Sequence, residues 1–234
     1  MKALILNSGM GSRMGSLTKD QPKCMTELRD GETILSRQLK LLSEAGVKDF
    51  VITTGRFAEV LKDYLKELSL PGSFRFVHNE AYAETNYIYS IALAAEELKD
   101  DDILLLHGDL VFCKEALLRV MQAGHSCMAV SSALPVPEKD FKAVIRDGRI
   151  EKVGVEFFED VLAAQPLYVL KREDWLIWLD RIIAFCEAGN RKCYAEKALN
   201  EVSGEMELYP CDVEELLCSE VDDPDDLERV RARL

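Results

Sequence analysis

The chain has 234 residues, 48% hydrophobic and 30% charged, a balance that sets aside disordered and fibrous classes. Its formal net charge of −13 argues against nucleic acid as a partner, because phosphate backbones are held by basic faces; small anions need only a few local donors. The seven cysteines form no Cys-x-x-Cys pair and no apolar run approaches about 18 residues, so reduced thiols, a cytoplasmic location and no membrane span are expected.

Strand and helix patterns alternate through the first half. ALILN (3–7) reads as a buried strand, TILSRQLKLLSEAG (33–46) as a helix closed by Gly46, and DFVITTG (49–55) as a second strand. FAEVLKDYLKEL (57–68) is amphipathic at helical spacing. FRFVHN (74–79), IYSIALAAEEL (88–98) and DILLLHGD (102–109) continue as strand, helix, strand, and KEALLRVMQAG (114–124) with SCMAVSS (126–132) adds one more pair. This grammar predicts an α/β fold with a doubly wound, mainly parallel, Rossmann-like sheet, whose ligands bind beyond the carboxyl ends of the strands.

After Pro135 the pattern changes. FKAVIRDGRIEKVGV (141–155) reads as a β-hairpin about Asp147-Gly148, AQPLYVL (164–170) as a strand, and DWLIWLDRIIAFCEA (174–188) as an apolar helix with Trp175 and Trp178 in the core. YAEKALNEV (194–202) is a second helix, MELYPCDV (206–213) follows it, and the tail EVDDPDDLERVRARL (220–234) runs from carboxylates into a basic amphipathic helix. Asp223, Asp225 and Asp226 complement that helix's amino-terminal dipole. One domain of three parts is expected: a nucleotide-binding core (1–134), a hairpin-and-helix lid half for an acceptor (135–218), and a metal-ligand segment with the last helix (219–234).

The first strand runs into SGMGSRMGSLTKDQPK (8–23). Met14 stands where a dinucleotide fingerprint needs its third glycine, and the Gly-Lys-Ser/Thr of a P-loop is missing. What remains is Gly9-x-Gly11-x-Arg13 with Lys23 further on: glycines that let backbone N–H groups wrap a polyphosphate, a planar guanidinium fork and a mobile ammonium. This loop resembles the signature loop of the nucleotidyltransferases, with Ser8 where many members carry alanine. NEAYAETNYIYS (79–90), HGDLVF (107–112) and EVDDPDDL (220–227) follow in the order of that family, most like phosphocholine and aminoalkylphosphonate cytidylyltransferases.

The resemblance implies transfer of CMP from CTP to a small phosphorylated alcohol or phosphonate, with release of pyrophosphate. Asn7, Ser8, Gly9, Met10 and Gly11 would hold the nucleotide, and Arg13 and Lys23 would be the catalytic cations. Asn79, Tyr82, Thr85, Asn86 and Ser90 offer donors and acceptors for a pyrimidine, Asn86 and Ser90 above all; a helix-entry cap would also account for Thr85 and Asn86. Asp109 closes a strand, and Glu220 and Asp222 share one face of an extended segment. Such oxygens suit Mg²⁺, with Asp109 and Asp222 the implied ligands and Glu220 supporting or joining them. His78, His107 and His125 are scattered and read as packing or surface residues. For the acceptor, Tyr168 and the Tyr194-x-Glu196 pair offer aromatic faces and a carboxylate to a cationic head group. A sugar-1-phosphate nucleotidylyltransferase and a non-catalytic nucleotide-binding module are the rival readings.

Overall fold

In the computed structural model, which describes residues 1–234, the first strand sets the layers. β1 (Lys2–Asn7) sends Ala3 and Ile5 into one hydrophobic cluster and Leu4 and Leu6 into another. A strand buried on both faces belongs at the centre of a parallel sheet. The chain continues through β2 (Glu27–Arg29), β3 (Glu32–Thr33), α1 (Ile34–Glu44), β4 (Asp49–Thr54), α2 (Ala58–Leu68) and β5 (Ser73–His78). Then come α3 (Tyr87–Leu93), β6 (Ile103–His107), β7 (Leu110–Phe112), α4 (Lys114–Met121) and β8 (Cys127–Ser131). The second half adds β9 (Lys142–Arg146), β10 (Arg149–Gly154), β11 (Val161–Leu170), α5 (Arg172–Glu187), α6 (Glu196–Val202), β12 (Tyr209–Asp212), β13 (Cys218–Glu220) and α7 (Pro224–Arg231).

β6, β1, β4 and β5 lie side by side and parallel, the doubly wound core that the sequence predicts. The chain passes from β1 to β4 and β5 on one side and returns as β6 on the other, so the strand order reverses at β1. Ligands of such sheets bind at that point. Antiparallel pairing starts at β11, which meets β6 and β9 along one edge and β8 along the other. The β8 register shifts between Ala164 and Tyr168, and Pro166, which has no N–H for a ladder, falls inside the shift. The expected hairpin is β9–β10, with Asp147 and Gly148 both at positive φ, 50° and 75°, as a tight primed turn demands.

α1, α2 and α4 cover the face of Ala3 and Ile5; α3, α5 and α6 cover that of Leu4 and Leu6. Trp175 and Trp178 are buried in the latter, and their ring N–H groups donate to Leu98 O (2.9 Å) and Ala195 O (3.0 Å). A third, smaller cluster joins Met14 of the glycine loop to Val111 of β7 and to Val221 and Leu227 near the carboxyl terminus.

Two local expectations change. The helix expected over 88–98 ends at Leu93 and gives way to a 3₁₀ turn, because the Ala94 N–H bonds both Ser90 O and Ile91 O and tightens the last turn. The hairpin β2–β3, turning on Asp30 and Gly31 at φ 50° and 77°, went unread although its Asp-Gly step carries the same turn signal as 147–148.

Candidate active site

β1 and β6 end side by side, and Gly108 is what lets them close. A Cβ on Gly108 would lie 1.7 Å from Asn7 Oδ1, so no other residue fits while Asn7 keeps its place. Beyond Asn7 the glycine loop folds into a 3₁₀ turn over Ser12–Thr18. Gly11 caps it at φ 62°, a left-handed conformation costly to other residues, and a Cβ there would press Lys23 Cβ at 3.1 Å. Thr18 Oγ1 donates back to Gly11 O (2.9 Å), and buried Met14 pins the loop to the third cluster. The residue that breaks the dinucleotide fingerprint is thus the loop's anchor. A Cβ on Gly9 meets nothing within 4 Å, since Gly9 faces the open cleft.

The acidic residues arrive on a two-stranded ribbon. β7 and β13 pair antiparallel with Leu110 opposite Glu220, and the Val221 N–H donates to Asp109 O (3.0 Å), which brings Asp222 beside Asp109. The Lys23 ammonium donates to Asp109 Oδ2 and Asp222 Oδ1, both at 2.6 Å, and Arg13 meets Asp222 at 2.9 Å. Burial pulls the Lys23 ammonium down, but the two carboxylates outweigh it and hold its pKa above the ordinary value. Burial raises Asp109 in turn, and Lys23 and His107 more than offset that, leaving it low. α7 fixes the far end: Asp223 is its N-cap, and Asp226 accepts from the backbone N–H groups of Asp223 and Asp222.

His107, expected to be a packing or surface residue, belongs to this group. Its Nδ1 lies 2.9 Å from Glu220 Oε1. Burial disfavours the imidazolium, but Glu220 outweighs it and pushes the ring's pKa up. Burial and then Asp109 raise Glu220 as well, so the pair together holds a proton in a crowd of carboxylates. The available signal was its spacing, two residues before Asp109 at a strand end. One ligand atom each from His107, Asp109 and Glu220 lie within 4.8 Å of one another, and Asp109 Oδ1 is buried without a hydrogen-bond partner. An unpaired carboxylate oxygen in an oxygen-rich donor set fits a hard divalent cation.

The 79–90 residues divide into an inner frame and an outer wall. Asn79 is buried: its Nδ2 donates to Thr85 Oγ1 (3.0 Å) and Ser90 Oγ (2.9 Å), and its Oδ1 accepts from the Ala81 N–H (3.0 Å). Ser90 Oγ also meets Ser8 Oγ (2.7 Å). Asn79 and Ser90, expected to read a base, are therefore spent on framing the loop, because buried polar groups must find partners. Tyr82, Thr85 and Asn86 line the cleft; Asn86 also caps α3, its Oδ1 accepting from the Tyr87 N–H (2.7 Å), so the capping account holds at that residue.

The cleft has two adjoining lobes. One, about 370 Å³, runs along Asn7, Met10, Gly11 and Lys23; the other, about 250 Å³, is walled by Tyr87, His107, Phe141 and Tyr194 with Asp140 and Glu220. Arg13, Asp109 and Asp222 stand between them and line both. Tyr194, 40% exposed, stacks on Tyr87 with ring centroids 5.9 Å apart, and Phe141 meets it edge-on at 5.2 Å. Tyr168 and Glu196, expected at the acceptor, are not on this wall. Tyr168 is fully buried against Trp178, and its hydroxyl donates to Glu196 Oε1 (3.0 Å). Glu196, 1% exposed, also accepts from the Tyr87 hydroxyl. Inward-facing positions on β11 and α6 point them into the core rather than the cleft. Tyr87 and Phe141 were missed because each sits at the edge of an element, where periodicity says nothing about side-chain direction.

A glycine loop at the switch point, a lysine and arginine facing strand-end carboxylates, and a two-lobed cleft are features that fit a nucleotidyltransferase. The chain belongs to the MobA-like NTP transferase domain family, whose model matches residues 3–194. Among curated relatives, the CTP:phosphoglutamine cytidylyltransferase of Campylobacter jejuni is 30% identical over 128 residues, 53% of this chain and 49% of that protein. The CMP-5'-(3-aminopropyl)phosphonate synthase of Streptomyces rubellomurinus is 29% identical over 241 residues, 97% of this chain and 37% of that protein. The chain thus spans less than half the length of these relatives. In fold it superposes on the CTP:phosphocholine cytidylyltransferase of Streptococcus pneumoniae with a TM-score of 0.78 at 19% identity, covering 99% of this chain and 98% of that one. No helix is long and apolar enough to cross a membrane.

Proposed function

We propose that the chain transfers CMP from CTP to a phosphate or phosphonate oxygen of a small, phosphocholine-like acceptor. The observation that carries this reading is the two-lobed cleft, with a polyphosphate-shaped loop in one lobe, aromatic rings and carboxylates in the other, and Arg13, Asp109 and Asp222 at their junction. The relatives' cytidylyl chemistry supports CTP as donor, and the ring cluster supports a cationic head group over a sugar, which would call for a wall of amides.

In this account the backbone N–H groups of the 8–11 segment and the Arg13 guanidinium hold the β- and γ-phosphates. The acceptor's oxygen attacks the α-phosphorus while the bond to the β-phosphate breaks, and pyrophosphate leaves with that electron pair. The attacking oxygen is anionic at neutral pH, so no side chain has to remove a proton. Lys23 exchanges part of its carboxylate contact for the α-phosphate and offsets charge building there. Asp109 and Asp222, with Glu220 beside them, would hold Mg²⁺, whose contribution is to orient and neutralise the phosphates. Tyr82, Thr85 and Asn86 form the wall against which the base rests. The 1–134 core, the 135–218 half and the 219–234 segment divide the work as nucleotide site, acceptor wall and carboxylate carrier.

The test is pyrophosphate release with Mg²⁺, each of the four nucleoside triphosphates being offered against phosphocholine, phosphoethanolamine, 2-aminoethylphosphonate and sugar 1-phosphates. Release with CTP and one small acceptor, abolished in Lys23→Ala and Asp109→Ala, is the expected result. Release confined to a sugar 1-phosphate would transfer the chain to the sugar branch, and CTP binding without turnover on any acceptor would favour a binding module.

A further inference from the structure

The Glu196 carboxylate is unusual for its position. It is 1% exposed, and its two oxygens accept from the hydroxyls of Tyr87 and Tyr168. No lysine or arginine forms an ion pair with it; its oxygens are satisfied by the two phenols instead. Burial first, and Glu196 second, raise both phenols well above their ordinary pKa, so each hydroxyl keeps its proton and donates. One of the two tyrosines is core, packed on Trp178; the other, Tyr87, is a wall of the smaller lobe and stacks on Tyr194. The charge therefore sits at the hydroxyl edge of a ring that lines the cleft. Charges facing the same lobe are Asp109, Asp140, Glu220 and Asp222 on the acidic side, with Arg13, Lys139 and His107, edge-on to Tyr87 at 4.7 Å, on the basic side.

We propose that Glu196 is a positioning residue that sets the charge preference of the acceptor lobe: bonded to the Tyr87 hydroxyl, its carboxylate fixes that ring against Tyr194 and makes the aromatic wall favour a cationic head group over a neutral one of the same shape. This rests on the acceptor lobe assigned under the proposed function. The mechanism is electrostatic. A ring attracts a cation through its negative face, and an anion hydrogen-bonded to the phenol deepens that face without touching the ligand. Tyr168 is the second donor that keeps the carboxylate in place. Its burial, which removed it from the cleft wall, is what suits it to the task.

The experiment compares phosphocholine with 3,3-dimethylbutyl phosphate, its uncharged isostere, by calorimetric binding to the wild-type chain and to Glu196→Gln, Glu196→Asp and Tyr168→Phe; CMP transfer from CTP is followed in parallel. Wild type is expected to prefer phosphocholine at least tenfold. Glu196→Gln is expected to lose about tenfold in phosphocholine binding, the size of a desolvated cation–π contribution, and nothing for the isostere; Glu196→Asp recovers part of it. The same pattern should appear in KM for phosphocholine, with kcat and KM for CTP unchanged. Equal binding of both ligands by wild type, equal losses of both in Glu196→Gln, or no phosphocholine binding would overturn the proposal. Failure of the proposed transfer shows itself differently, as absent turnover while the charge preference in binding persists. Tyr168→Phe guards against a merely unfolded Gln variant: it leaves the cleft wall intact and should give a smaller loss of the same sign.

Discussion

Replacing Lys23 with methionine removes the only ammonium that bridges Asp109 and Asp222. Both carboxylate oxygens lie 2.6 Å from its nitrogen, so they are at most about 5 Å apart. Their mutual repulsion is then about 3 kcal/mol at an effective dielectric of about 20. The three side chains are 12%, 19% and 22% exposed, so little solvent screening relieves it. Breaking a largely buried pair by removing one partner costs about 3–5 kcal/mol. For a chain of this size that lowers Tm by roughly 10 °C. If the site holds a divalent cation as proposed, the freed oxygens are open to it, so millimolar MgCl₂ should stabilise Lys23→Met markedly and wild type little. The assay is urea unfolding and thermal melting of both proteins with and without Mg²⁺. Equal magnesium shifts in the two proteins, or a variant as stable as wild type without Mg²⁺, would refute the bridging argument. The pH window follows from signs. Lys23 is raised above 10.5, so its contribution is present below that pH and lost above it; Asp109 is lowered below 3.8, so its share is present above that pH and lost beneath it. The gap between wild type and variant should close at both extremes.

Gly108→Ala forces a Cβ into Asn7 Oδ1 and should cost on the order of 2 kcal/mol, measured by urea unfolding, together with most of the CTP affinity; an unaffected variant would show that Asn7 has room to swing aside. Asn79→Ala removes the donor that ties Thr85 to Ser90, so KM for CTP should rise several-fold in steady-state assays while thermal stability falls by about 1–3 kcal/mol. Asp223→Ala deletes the α7 cap and should cost about 1 kcal/mol, with a larger proportional loss of Mg²⁺-dependent turnover because Asp222 is its neighbour; a loss of stability alone would detach the cap from the site.

Much of this fold is written in alternation. Ala3, Leu4, Ile5 and Leu6 are apolar without a polar face, which is how a central parallel strand announces itself. Asp109, Glu220 and Asp222 were readable because strand ends and period-two spacing follow from backbone geometry, and the structure brings all three to one lobe. Direction at element edges was not. Glu196, two residues past an aromatic, reads as a carboxylate offered to an acceptor's head group, yet the first turn of α6 buries it. Asn79 and Ser90 carry the donors a base would need, but Ser8, 82 residues from Ser90, takes up part of that capacity, and no local pattern reports so distant a partner. The antiparallel insertion of β11 between β6 and β8 was equally hidden, since pairing partners depend on topology rather than on the strand's own residues.

The β7–β13 ribbon has a consequence for how the protein is made. Lys23 reaches Asp109 across 86 residues but Asp222 across 199. A chain emerging from the ribosome can pair β1, β4 and β6 and close the glycine loop long before it possesses the second carboxylate. During that interval Lys23 has half its counter-charge and Asp109 stands without β13 to cover it. The pairing of Lys23 with both carboxylates therefore waits on a segment of only three residues of strand and one short helix.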